Sequence, residues 1–210
     1  MVLLLAATSA AVLPAYAMEK SSDEWIGDAK AYYNRGVDYY GKKDYEAAAK
    51  DLSTAIHLEP KSPDAYFNRG LSFRRQNKID EAISDFTKAI QLYSNQPGYY
   101  FERCNALILK NNFNGAVADC SDAIRLSPME PQTYFMRGLA LMLKGNLDEA
   151  LTDSVTALQI DPDYPDAKRL LFETLLKRET VNQITYPTIP HKSVLESRNL
   201  PGGVFSAEKT

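Results

Sequence analysis

The residue types that commonly carry chemistry are scarce in this sequence, and their spacing limits what they can do. Cys104 and Cys120 are the two cysteines, able either to form a disulfide or to pack as small apolar thiols. His57 and His191 stand too far apart to suggest one site. There is no zinc-ligand spacing, no Gly-rich phosphate loop and no nucleophile elbow, so no metal, cofactor or catalytic residue is expected. What does recur is charge. Arg35, Arg69, Arg103 and Arg137 stand 34 residues apart, as do Asp51, Asp85, Asp119 and Asp153. That pattern predicts a ladder of guanidinium–carboxylate pairs, within or between repeated units, fixing register more than adding stability. The alternative is that the arginines hold an acidic ligand.

The element that positions these residues is a unit written four times between Ala29 and Tyr164. Tyr32, Tyr66, Tyr100 and Tyr134 coincide, followed by Gly36, Gly70, Cys104 and Gly138. Further columns hold Ala48, Ala82, Ala116 and Ala150, then Ala55, Ala89, Ala123 and Ala157, and finally Pro60, Ser94, Pro128 and Pro162. Self-similarity at a fixed period is the mark of a solenoid. In the second copy, Tyr66, Gly70 and Phe73 make one helical stripe and Ala82, Phe86, Ala89 and Ile90 another, with polar Gln76-Asn77-Lys78 between. Small Gly70 and Ala82 let two antiparallel helices approach closely. Each pair leaves an apolar face that only the next pair covers. Pro63, Pro97, Pro131 and Pro165 open units, as suits a first helical turn. The frame predicts helices over 29–42, 45–58, 63–76, 79–92, 97–110, 113–126, 131–144 and 147–160, and a capping helix over 165–179. At the small-residue position of that last helix stands Phe172, and Ile184 replaces the later Ala, so no partner helix is expected there.

These residues resemble the tetratricopeptide repeat, over about two-thirds of the chain. The departures are Cys104 for the small Gly, Ser94 for the turn Pro, and Leu52, Cys120 and Ser154 for the second-helix aromatic. The resemblance implies an all-α right-handed superhelix that binds other proteins and has no chemistry of its own. On such helix pairs Cys104 faces Ala116, with Cys120 one turn on, so a disulfide is within reach. Closing that loop would contribute about 3 kcal/mol.

The family's first helices line the concave face, which turns attention to the residues just after the core tyrosines. Tyr33, Phe67, Phe101 and Phe135 point about 100° away from them. Beside them lie Asn34, Asn68, Glu102 and Met136, and one turn on Val37, Leu71, Asn105 and Leu139. Together they compose a groove suited to a peptide or helix of a partner. The same aromatics could instead pack between successive first helices. Some family members clamp a partner's C-terminal carboxylate with Lys and Asn. Asn68 matches the central amide, but Tyr33, Val37, Gly98 and Glu102 depart from the clamp, and Glu102 would repel the carboxylate.

Across its 210 residues the chain is 45% apolar with net charge −3, and no basic stripe invites nucleic acid. Residues 1–17 form an uncharged apolar run ending Ala15-Tyr16-Ala17, which predicts a cleaved export signal, although no Lys or Arg precedes it. An uncleaved anchor or a start lying elsewhere are the alternatives. Export would place the protein in a periplasm or outside the cell; otherwise it is cytoplasmic. Residues 18–28, with Ser21-Ser22-Asp23 as a helix start and Trp25, extend the first helix. The units are then 29–62, 63–96, 97–130 and 131–164, followed by the cap and by a Pro- and Gly-bearing arm over 180–210. The partner expected is another protein, with no membrane span after signal removal. The second reading is self-association through repeat ends or the arm.

Overall fold

The computed structural model describes residues 22–185, with side chains described over 27–181. The expected export signal, the start of the 18–28 extension and residues 186–210 lie outside the described residues. Among those described, nine α-helices and no strands occur. They are α1 (Ser22–Gly41), α2 (Tyr45–Leu58), α3 (Pro63–Arg75), α4 (Ile79–Leu92), α5 (Pro97–Leu109), α6 (Phe113–Leu126), α7 (Pro131–Lys144), α8 (Leu147–Ile160) and α9 (Pro165–Thr185). Helix pairs α1–α2, α3–α4, α5–α6 and α7–α8 form the four repeats. The fold is an all-α tetratricopeptide-type solenoid.

Local chemistry accounts for the punctuation. The turn inside each repeat needs one left-handed residue, and the same column supplies it: Lys43, Asn77, Asn111 and Gly145, with φ of 64°, 62°, 57° and 97°. Asn and Gly adopt this conformation at little cost, whereas Lys43 is the least suited. The next amide closes each turn by reaching back five residues, as Lys78 N does to the carbonyl of Phe73 at 2.9 Å. Asp44 and Asn112 then cap α2 and α6, each accepting an amide at 3.1 Å.

Successive first helices, α1, α3, α5, α7 and α9, touch one another, while successive second helices do not. The first helices therefore occupy the inside of the curve. Within each repeat the two helices meet at a small-to-large slot. A Cβ on Gly36 would lie 2.8 Å from Leu52 Cγ, and one on Gly70 2.7 Å from Phe86 Cε1. In the third repeat the slot holds a disulfide between Cys104 and Cys120, with Cα atoms 5.6 Å apart. The fourth has only Ser154 opposite Gly138, and Leu170 of α9 fills the space, 3.1 Å from where a Gly138 Cβ would stand. The aromatic missing from three second helices is thus replaced by three different solutions.

The end of the solenoid differs from expectation in two ways. α9 continues past 179 to Thr185, since no Pro or Gly interrupts 180–185. Its outer face is also less polar than a solvating cap, since Phe172 is 63% and Leu176 48% exposed.

Candidate protein-binding groove

The arginine and aspartate columns meet in every repeat. Arg69 Nε and Nη2 bind the two carboxylate oxygens of Asp85 at 2.8 Å each, and Arg103 binds Asp119 likewise at 2.7 Å. Arg35–Asp51 and Arg137–Asp153 repeat the fork. All four aspartates are buried. The hydrogen bond to its aspartate is the main force holding each of Arg103 and Arg137 charged beyond the usual arginine range.

A third nitrogen of these arginines reaches backwards. Nη1 of Arg69, Arg103 and Arg137 donates to the hydroxyl of Ser53, Thr87 and Ser121 in the preceding repeat, at 3.0–3.1 Å. Each hydroxyl donates in turn to a carbonyl one turn back on its own helix, at 2.7 Å. One guanidinium therefore ties its own repeat together and docks it on the last. Where the column continues as Val155, the next helix carries Leu171 in place of arginine. This hydroxyl column stands in the sequence at the repeat period, and it is the signal that reasoning on charges alone misses. The arginines face carboxylates and hydroxyls, which leaves the acidic-ligand alternative without support.

The ladder sets how the inner face is presented, and the expected aromatic column, half-buried throughout, divides into members that pack on a neighbouring ring and members that border a cavity. Phe67 packs at 4.9 Å on the ring of Tyr99 and at 5.8 Å on Phe86, with Leu71 in the same cluster. Phe135 meets Tyr164 edge-on at 5.7 Å, and Leu139 joins its cluster. Met136 packs against the Cys104–Cys120 slot. These five serve mainly to join neighbouring repeats. Asn34 and Val37 are exposed, while Tyr33 and Phe101 are half-buried and border cavities.

Between the polar members, a hydrogen bond and an ion pair run from helix to helix. Asn68 Nδ2 donates to the Tyr33 hydroxyl at 3.1 Å, and Arg74 Nη2 lies 2.9 Å from Glu102 Oε2. Burial pushes the Glu102 carboxyl upward against the opposing pull of Arg74 and a hydrogen bond from Asn105. Glu102 is thus engaged by Arg74, a partner the sequence reading missed.

The cavities lie in the notches between first helices. One, of about 190 Å³, is bounded by Tyr33, Glu59, Asp64 and Ala65; another, of about 210 Å³, by Phe101, Gly98, Glu130 and Thr133. They are the same notch two repeats apart. In the intervening notch, Tyr99 stands in the column of Ala65 and Thr133, with its ring on Phe67 and its hydroxyl donating to Asp64 Oδ1 at 2.5 Å. Burial foremost, then the bond to Asp64 and its charge, raises the Tyr99 phenol well above its ordinary value. A single bulky residue in an otherwise small column was the legible sign.

No metal-binding cluster of His, Cys, Asp or Glu occurs among the described residues, and no helix among them is long and apolar enough to cross a membrane.

Comparison with known proteins agrees with this architecture. The structure is similar to MamA (residues 41 to end) of Desulfovibrio magneticus RS-1, at 16% identity and TM-score 0.70, covering 82% of this chain and 98% of that one. It is similar to YrrB, described as a TPR protein with an unusual peptide-binding site, at 20% identity and TM-score 0.66, covering 86% and 99%. It is also similar to the first TPR of Spaghetti (RPAP3), solved bound to the HSP90 peptide SRMEEVD, at 26% identity and TM-score 0.55, covering 59% and 98%. Among curated proteins no match is found. The family model for the tetratricopeptide repeat matches residues 33–97 and 105–167, more than half of the sequence, in register with the helix pairs. The chain belongs to the tetratricopeptide repeat family.

Proposed function

We propose that this protein is a non-catalytic interaction scaffold that holds an extended segment of a partner protein along the inner face of α1, α3, α5 and α7. The observation that carries the reading is the row of first-helix notches, two of them open beside Tyr33 and Phe101. The family is in general non-catalytic, and the peptide-bound RPAP3 repeat and the peptide site described for YrrB support the same use of the fold. The test is site-specific photo-crosslinking in the native compartment, with the probe placed at Val37 or Phe101, and at Lys88 on an outer helix as control. Crosslinks to one partner segment from the inner positions alone are expected. Equal crosslinking from Lys88 would defeat the reading.

Export remains part of this proposal. A disulfide inside the third repeat suits an oxidising compartment, which supports removal of residues 1–17. Intact mass of the purified native protein would show whether it starts at Met18.

A second reading, self-association through the end of the solenoid, is favoured by the exposed Phe172 and Leu176 on α9. It predicts a mass that rises with concentration and reverts to monomer in Phe172→Asp.

A further inference from the structure

The two open notches are equivalent positions separated by a blocked one, and that arrangement specifies more than a groove. Resting on the reading above, we infer that the partner segment is extended, carries two medium-sized apolar anchors about six residues apart, and has basic residues beside them.

The size of the anchors comes from the cavities. At about 190 and 210 Å³, each is smaller than a pocket for a drug-sized ligand and admits a single side chain. At the second notch a Cβ on Gly98 would meet nothing within 4 Å, so the rim there is open. Their separation comes from helix packing. First helices in contact lie about 8–10 Å apart, so two steps span about 16–20 Å. An extended chain rises about 3.3 Å per residue, which makes that span about five to six residues. Of these, six keeps both anchors on one face of the segment, whether it has the two-residue period of a strand or the three-residue turn of a polyproline-type chain.

The charge preference comes from the rims. Glu59, Asp64 and Glu130 are exposed carboxylates at the two notches, against the single amine of Lys30. Lys or Arg flanking the anchors would meet this excess, and acidic neighbours would be repelled.

Tyr99 is what makes the spacing selective. With its ring seated on Phe67 and its hydroxyl on Asp64, it occupies the position where a middle anchor would enter. A segment with anchors at half the separation finds one notch open and the next closed.

The experiment uses fluorescein-labelled synthetic peptides with a Ser/Lys background and two leucines at separations from three to eight, titrated into the full chain by anisotropy. Affinity should peak at a separation of six. Ala65→Tyr and Thr133→Tyr, which copy Tyr99 into the open notches, should each weaken the best peptide at least about tenfold and flatten the spacing dependence, since each removes the burial of one leucine. Gly98→Phe fills the second notch from its open rim and should act alike without stressing the buried column. Tyr99→Ala should let a peptide with a separation of about three bind as well, matching the three-residue turn of an extended polyproline-type segment. A glutamate background should weaken binding, and added salt should narrow the difference. Affinity independent of separation, indifference to the notch-filling variants, or no peptide binding overturns the inference. In those cases the groove reading stands or falls separately, on whether Val37 and Phe101 crosslink a native partner.

Discussion

The second and third repeats fill the same slot by different physics. In the second, Phe86 is fully buried and closes on Gly70 so tightly that a methyl group there would collide with its ring. In the third, two cysteines of identical size meet instead, and a covalent bond joins α5 to α6. Cys104 and Cys120 are likewise fully buried, yet neither has the bulk to occupy the volume of an aromatic. The comparison teaches that this fold requires a fixed approach of two helices, not a particular side chain. Non-directional burial and a directional bond both supply it, but they respond to different perturbations.

The largest effect should come from emptying the second slot. Phe86→Ala leaves a cavity against Gly70 and is expected to lose about 3–5 kcal/mol in denaturant unfolding, equally with or without reductant. Breaking the third slot should reverse that pattern. Reduction, or Cys104→Ala with Cys120→Ala, is expected to lose about 3 kcal/mol, with the double variant indifferent to dithiothreitol. If reductant leaves the melting of the natural chain unmoved, the third repeat is held by packing alone and the contrast collapses.

Gly70→Ala overfills the second slot and should lose about 1–3 kcal/mol, a penalty with no counterpart at Cys104. The smallest effect belongs to Tyr99, the wedge between these two repeats. Tyr99→Phe removes one hydrogen bond, worth about 1 kcal/mol at neutral pH. Its pH signature is sharper. Because the folded phenol sits above its ordinary value of 10.0, the stability linked to its proton is fully present below that value and lost as pH rises beyond it. Ultraviolet titration should show one fewer late-ionising tyrosine in the Phe variant; an unchanged profile would mean that Tyr99 does not hold its proton.

Periodicity made the helix pairs legible because small residues, turn residues and prolines each answer a local backbone demand. The Lys43, Asn77, Asn111 and Gly145 turns illustrate this, since one left-handed residue is needed wherever the chain reverses there. The charge columns were legible for the same reason, although the backward reach of Nη1 to Ser53, Thr87 and Ser121 depends on how one repeat docks on the last. The groove was the least legible part. Phe67, Phe101 and Phe135 occupy identical places in the pattern, yet Phe67 lies under Tyr99, Phe135 meets Tyr164, and Phe101 borders an open notch.

The sequence by itself determined the period, the helix pairs, the charged columns and the family, because each follows from residues close in the chain or strictly repeated along it. Only the tertiary structure decided whether the two thiols bond, that α9 runs past the expected cap to Thr185, and which notches remain open. Those outcomes depend on volume shared between neighbouring repeats, where one side chain such as Tyr99 or Leu170 can enter its neighbour's space. A pattern of residue types records what each position is, and not which of two adjacent positions fills the gap between them.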